Sequence, residues 1–129
     1  MKKKTREIKV QDKNYVYVIN QKYHQGVSKI NLSVSLKGQK NAACSFQFCT
    51  WDDPISGSPL LVGVHLKKTA SDDIEDFNLN YPGIVKQFIV YGLENGWRGS
   101  NRIEFSDGLE ILEDMGYDVL WLKAGPSPQ

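Results

Sequence analysis

The sequence has few cysteines and no long apolar segment, and each shortage excludes a class of protein. Its two cysteines, Cys44 and Cys49, lie on one predicted strand, roughly 16 Å apart at ~3.3 Å per residue, which is too far for a disulfide. No apolar run approaches the roughly 18 residues that a membrane-spanning helix needs. The five prolines and eleven glycines are too few for a collagen-like or linker-rich chain. We therefore expect a folded domain with no membrane span and two free, buried thiols.

The rest of the composition is that of an ordinary globular domain. Of the 129 residues, 40% are hydrophobic and 24% are charged. A chain of this length buries roughly two thirds of its unfolded surface, so we expect one domain over residues 1–129. Residues 1–4 are basic, but the apolar stretch of a signal peptide does not follow them. The sequence therefore predicts a cytoplasmic protein with a basic N-terminal tail.

Charge is distributed unevenly, although the net charge is only +1. Residues 1–40 contain ten Lys or Arg and two acids, whereas residues 41–129 contain six bases and thirteen acids. Either the two halves pack together and neutralise each other, or the molecule offers a bipolar surface to a charged partner. The basic half includes tyrosines and could follow a phosphate backbone, but it has no arginine cluster and no nucleic-acid motif. Nucleic acid is thus a minor alternative.

Alternating apolar and polar residues predict strands in the first half of the chain. The clearest signal is at residues 30–36, and a hairpin with a four-residue connection at 11–14 precedes it. Short connections between consecutive strands predict an antiparallel meander over residues 5–66. The five predicted strands lie at residues 8–10, 15–19, 30–36, 44–49 and 60–66.

The second half changes to a helical period. Residues 67–80 are polar and acidic and are predicted to be a loop. Pro82 suits the first position of a helix over residues 82–95, whose apolar stripe recurs every three or four residues and which Gly96 ends. Residues 102–123 are predicted to hold a short strand, a short helix capped by Ser106 or Asp107, and a final strand. Residues 124–129 are predicted to be a frayed tail. The predicted fold class is α+β: an antiparallel sheet of five to six strands, one main helix on one face, and a short second helix.

No arrangement of residues predicts a metal site, a cofactor or a reaction. Cys44, Cys49, His24 and His65 lack the two-to-four-residue spacing of zinc ligands. Neither histidine lies near a nucleophile motif, although Cys49 and His65 could supply a nucleophile and a base. The glycine-containing turns match no phosphate-binding loop. We therefore expect no cofactor and no metal, and we favour a protein that is not an enzyme.

Recognition residues are the positive signal that remains. Trp51 is followed by Asp52 and Asp53 in the longest loop between strands, where a turn has no need of a large aromatic residue. Trp97 and Arg98 follow the main helix together, and Trp and Arg are enriched at binding interfaces. The alternative for Trp97 is that it folds back over the core. These five residues are the predicted binding residues.

Two segments resemble a group of known proteins. The sequence YPGIVKQFI at residues 81–89 is followed by ENGW at 94–97, and REIKV at 6–10 leads to YVY at 15–17. Both are similar to small uncharacterised bacterial proteins with an N-terminal β-hairpin and a late helix that ends in Gly-Trp. The resemblance implies a bacterial cytoplasmic accessory protein and assigns no site residues.

The predicted function is therefore non-catalytic binding of a partner protein, as in a bacterial immunity or accessory protein. A small enzyme or small-molecule-binding protein with an unrecognised pocket is the alternative, and weak nucleic-acid binding is the third. A homodimer formed through an open sheet edge is compatible with each of them.

Overall fold

The computed structural model describes residues 6–24, 27–39, 41–51, 59–71, 73–119 and 122; the predicted tails at 1–4 and 124–129 lie outside these residues. Seven strands and three helices are found there. None of these helices is long and apolar enough to cross a membrane. The elements are β1 (Arg6–Val10), β2 (Lys13–His24), β3 (Val27–Leu36), β4 (Cys44–Trp51), α1 (Pro59–Val62), β5 (Val64–Lys67), β6 (Ile74–Phe77), α2 (Pro82–Glu94), β7 (Ile103–Phe105) and α3 (Gly108–Asp114).

The main sheet has five strands in the order β1-β2-β3-β4-β7. The first four strands are antiparallel neighbours, as the period-2 pattern predicts. β7 pairs with β4 in parallel, with Ile103 opposite Cys44, so the prediction of a purely antiparallel sheet is wrong at this edge. A parallel neighbour requires a crossover connection. The chain makes that crossover through α2 before it returns as β7. The fold is therefore α+β with a mixed sheet.

The predicted fifth strand and the predicted acidic loop both differ from the structure. Residues 60–66 divide into the single turn α1 and the short strand β5, separated by Gly63 at φ +107°. β5 pairs with β6, which lies within the predicted loop, and the two form a separate sheet. Acidic residues concealed the strand pattern of β6, whose inward residue Phe77 is fully buried opposite Val64.

Two further local predictions are corrected. The first hairpin turns through two residues rather than four: Gln11 and Asp12 both have positive φ, 52° and 67°. Both residues at the centre of a type I′ turn have positive φ, and such a turn fits the twist of the flanking strands. At the other end, neither Val119 nor Leu122 is in a strand, although the sequence predicts a final strand there, and the N–H of Leu122 donates to the carbonyl of Val119. The rest of that predicted strand, at residues 120 and 121, lies outside the described residues.

The main helix agrees closely with its prediction. α2 begins at Pro82 and ends at Glu94, and its buried stripe consists of Ile84, Val85, Phe88, Ile89 and Gly92. The ring of Phe88 packs edge-on against two rings of β4, with its centroid 5.1 Å from that of Phe46 and 5.4 Å from that of Phe48. α3 begins beside the same strand, where the Oδ1 of its cap Asp107 accepts a hydrogen bond from the N–H of Glu110. The core thus lies between one face of the sheet and the two helices.

Close contact between α2 and β4 depends on a glycine, which gives a test of the packing. A Cβ added to Gly92 would lie 2.9 Å from Cys44 Sγ, whereas one added to Gly83 meets nothing within 4 Å. We expect Gly92→Ala to lower the free energy of unfolding by about 1–3 kcal/mol through overpacking. Gly83→Ala, in the same helix, should raise it by about 0.5 kcal/mol. Urea denaturation of both variants measures the difference, and equal effects would contradict this packing.

Candidate functional site

The predicted binding residues near β4 are only partly within the described structure. Trp51 is the last residue of β4, and its backbone pairs with Val27. Its side chain is not described, and Asp52 and Asp53 lie outside the described residues. These three positions therefore remain predictions.

Trp97 lies in the core and not on a binding surface. The residue is 1% exposed, and its Nε1 donates to the carbonyl of Ala42 at 3.0 Å. Its ring packs against that of Tyr15, with the two ring centroids 5.7 Å apart. The chain reverses at Gly96, whose φ is +112°, and this reversal directs the indole inward. The alternative that Trp97 folds back over the core is the one that the structure shows, and the residue leaves the set of candidate contacts.

Arg98 is exposed, but the fold does not bring it beside Trp51. Its backbone N–H donates to Asn101 Oδ1 at 2.7 Å, which fixes the turn after α2. The neighbouring indole of Trp97 reaches Ala42, just before β4 begins, whereas Trp51 ends that strand. The strand from Cys44 to Trp51 has eight residues, so its ends are roughly 23 Å apart at ~3.3 Å per step. The predicted binding residues therefore do not form one cluster.

A better candidate for a binding surface is the face of the main sheet opposite the helices, which we call the open face. Strand residues of the core all lie on the helix side of the sheet. The alternate side chains of β2, β3 and β4 are exposed or half-buried, with the exception of the buried Ser35. Those described are Val16, Val18, Asn20, Lys22, Val27, Lys29, Asn31, Ser33, Ser35, Ser45, Gln47 and Cys49.

The register of the strands arranges these side chains in rows. Asn20, Asn31 and Gln47 are neighbours across β2, β3 and β4, and we call them the amide row. The adjacent row joins Lys22, Lys29 and Cys49, and we call it the lysine row. Together with Ser106, the two rows line a shallow depression of about 440 Å³. The amide, ammonium and hydroxyl groups of these side chains give the depression many hydrogen-bonding groups.

The lysine row is positively charged without compensation from the described structure. Lys22 and Lys29 are directly opposite each other, an arrangement of like charges that costs stability. Neither forms an ion pair with a residue that the structure describes. A pair of facing lysines that has no ion-pair partner among the described residues is a site to which a carboxylate or other anion would be attracted.

Three ion pairs among the described residues each join residues of the same half of the chain. Lys37 contacts Glu7 at 3.2 Å within the basic half. In the acidic half, Lys68 contacts Glu75 at 2.9 Å and Nδ1 of His65 contacts Asp76 at 2.7 Å. These three pairs therefore provide no neutralisation between the halves.

A second surface lies between the outer side of α2 and the end of α3. This cleft has a volume of about 560 Å³, and Tyr91, Glu94, Asp114 and Met115 are among its lining residues. Burial raises the pKa of Tyr91, and the negative charges of Asp114 and Glu110 raise it further. Two carboxylates, Glu94 and Asp114, and one lysine, Lys86, line the cleft, so its formal charge is negative, in contrast to the lysine row.

One cluster of charged side chains with shifted pKa values links β5 and β6 to the chain after α3. Tyr117 donates its hydroxyl to Glu75 Oε1 at 2.8 Å, and Lys68 contacts the other oxygen of the same carboxylate. The hydrogen bond from Lys68, followed by that from Tyr117, lowers the pKa of Glu75. Because Lys68 and Tyr117 also form a β-bridge, we interpret this cluster as a structural connection and not as a reactive site.

The comparisons with known proteins assign no family. No protein-family model, curated protein or solved structure matches the chain. Among the described residues, no group of three His, Cys, Asp or Glu side chains could hold a metal ion.

The two thiols should differ strongly in reactivity. Both are free, but Cys44 is buried and Cys49 is exposed, which corrects the prediction of two buried thiols. Burial also raises the pKa of Cys44 to about 12. The thiolate is the reactive form, so we expect iodoacetamide at pH 8 to modify one thiol in the folded protein and two in urea. Peptide mass spectrometry should locate the first modification at Cys49; modification of Cys44 in the folded protein would contradict the structure.

The Glu75 cluster predicts a pH dependence of stability. Since the folded pKa of Glu75 is below its ordinary value of about 4.5, its stabilising effect is complete above that pH and is lost as the pH falls through the folded pKa. Glu75→Gln should therefore lower Tm by roughly 2 °C at pH 7 and by less at pH 3.5. Glu104→Gln on β7 is the control. A deficit of equal size at both pH values would show that the charge of Glu75 contributes nothing.

Proposed function

We propose that this chain is a non-catalytic protein-binding domain whose open face contacts the partner. The observation that carries the proposal is the lysine row beside the amide row on a sheet face that lies opposite both helices. The two lysines have no ion-pair partner among the described residues. The serine side chains nearby are short, so the backbone of a partner can approach the sheet closely. A non-obligate interface is about as polar as the rest of a protein surface, and its rim is polar and accessible to solvent.

In its finer form, the proposal is that the chain is a cytoplasmic bacterial immunity or accessory protein that holds its partner in a complex. Its support is the separation of charge and the two sequence segments that resemble small bacterial proteins. Trp51, Asp52, Asp53 and Arg98 remain proposed contacts. The backbone of Trp51 lies one row beyond the lysine row, so it adjoins the open face.

A small-molecule site is the second candidate, and the cleft between α2 and α3 is the observation that favours it. Its volume of about 560 Å³ is within the range of ligand pockets. Tyr91 and Met115 would provide apolar contact there, and Glu94 and Asp114 would select a cationic ligand. A ligand bound in this cleft would not protect Cys49 on the open face from iodoacetamide, whereas a partner bound to the open face would. This difference distinguishes the two candidates.

The proposed function is tested by blocking the open face and, separately, the helix side. Ser33→Tyr and Gln47→Tyr place a large side chain on the open face, and tyrosine is well tolerated in strands. Glu94→Tyr, on α2, is the matched control. Each tagged variant is used to capture partners from a lysate of the source organism at moderate salt, and captured proteins are identified by mass spectrometry.

We expect a stoichiometric partner whose recovery falls at least tenfold with either open-face variant and is unchanged with Glu94→Tyr. The partner should also protect Cys49 from iodoacetamide. Loss of the partner with Glu94→Tyr alone would place the interface on the helix side and refute the proposal. If the species captured is a second copy of this chain, light scattering would show a homodimer formed through the same face.

A further inference from the structure

The charged groups of the open face differ from row to row across β2, β3, β4 and β7; on β1, Glu7 lies opposite Val16 and is already paired with Lys37. Lys22 and Lys29 lie in one row, and the next row along the strands, the amide row, is uncharged. The third row contains Ser33, Ser45 and the exposed Glu104 of β7. At about 6.6 Å between rows on one face, the lysine pair and Glu104 are separated by roughly 13 Å along the strands.

The groups next to the lysines suit carboxylates. Each ammonium group supplies three donors and no acceptor, and the amides of Asn20, Asn31 and Gln47 each supply an N–H₂ group that can donate in addition. A carboxylate placed over the lysine row would be in reach of charge-assisted hydrogen bonds as well as amide donors. It would also remove the repulsion between the two facing lysines.

A nucleic acid fits this pattern less well than a protein does. Duplex DNA carries a negative charge every 1.7 Å of its length, so it favours a continuous track of basic residues. The open face instead follows its lysine pair with an uncharged row and then with Glu104, which would repel a phosphate backbone. A protein with a local group of acidic side chains can place its carboxylates against the two lysines and keep them away from the negative charge of Glu104.

We infer that the partner of the open face is a protein that presents a local cluster of Asp or Glu carboxylates to Lys22 and Lys29. This inference rests on the proposed function and specifies the chemistry of the partner. Lys22 and Lys29 are then the residues that determine which partner binds, and the interaction weakens with salt.

Cys49 provides an internal probe of this charge, because it lies in the lysine row and its thiol is exposed. We compare its rate of reaction with the dianionic disulfide 5,5′-dithiobis(2-nitrobenzoate) and with the neutral 4,4′-dithiodipyridine. A change in the pKa of the thiol affects both rates alike, so the ratio of the two rates reports the attraction of an anion. Lys22→Gln/Lys29→Gln is the test variant, and Lys86→Gln on α2 is the matched control.

At 20 mM salt, we expect the rate with the dianionic reagent, divided by the rate with the neutral one, to be about fivefold lower in the double variant than in the wild type. This ratio should change little in Lys86→Gln. In the wild type at 500 mM salt, it should approach the value of the double variant. Circular dichroism establishes that each variant is folded. An equal ratio in the wild type and the double variant would show that the two lysines create no anion-attracting site and would overturn the inference.

Two probes of different class then distinguish the sources of negative charge. A hexaglutamate peptide and a twelve-nucleotide single-stranded DNA are titrated separately into ¹⁵N-labelled protein. Peptide-induced shifts at the amides of Lys22, Lys29 and Gln47, lost in the double variant, support the inference. Tighter binding by the DNA would overturn it in favour of nucleic acid.

The same variant separates this inference from the proposed function. Suppose that a partner captured from lysate is lost with Gln47→Tyr but retained with Lys22→Gln/Lys29→Gln. The open face is then an interface, and its recognition of carboxylates is refuted. Loss with both variants supports both statements.

Discussion

The packing of Phe46 against the helix layer is the contact on which the rest of the structure depends. Its ring lies 5.1 Å from Phe88 of α2 and 5.1 Å from Phe105 of β7, with which it is nearly parallel at 7°. One buried residue of β4 thus joins the main helix, the parallel edge strand and the centre of the sheet. Because side chains alternate along a strand, burial of this face commits its neighbours Ser45 and Gln47 to the opposite one.

The two faces of the sheet also differ in the charged clusters that they present. Strands β2 and β3 place Lys22 and Lys29 on the open face, whereas Glu94, Glu110 and Asp114 lie on the helices. Like charges that face each other destabilise a fold, and a solvated surface has no structural need of them. The proposed partner would neutralise the lysine row and so remove this repulsion. The short side chains around the row leave room for such a partner.

Local patterns in the sequence predicted the elements that local physics determines. Alternation predicted β3, and the helical stripe with Pro82 and Gly96 predicted α2 to within one residue. The cap at Asp107 could also be predicted, since a side-chain oxygen there accepts the N–H of Glu110. These features depend on neighbours within a few positions of the chain.

Features set by distant pairing could not be predicted in this way. β6 appeared to be an acidic loop because some of its stabilising contacts come from distant parts of the chain, such as the hydrogen bond that Tyr117 donates to Glu75. The direction of β7 depends on the path of the whole crossover. The lysine row depends on the strand register that brings Lys22, Lys29 and Cys49 together from three strands. The sequence around each residue does not predict how its strand aligns with the next one.

The most direct test of the central claim is a crosslinking measurement. A photoreactive benzoylphenylalanine is placed at position 47 on the open face in one protein and at position 94 on α2 in another. Each is irradiated in lysate, and crosslinked partners are identified by mass spectrometry. The account predicts a specific partner crosslinked from position 47 and none from position 94. Crosslinking to that partner from position 94 alone would contradict it.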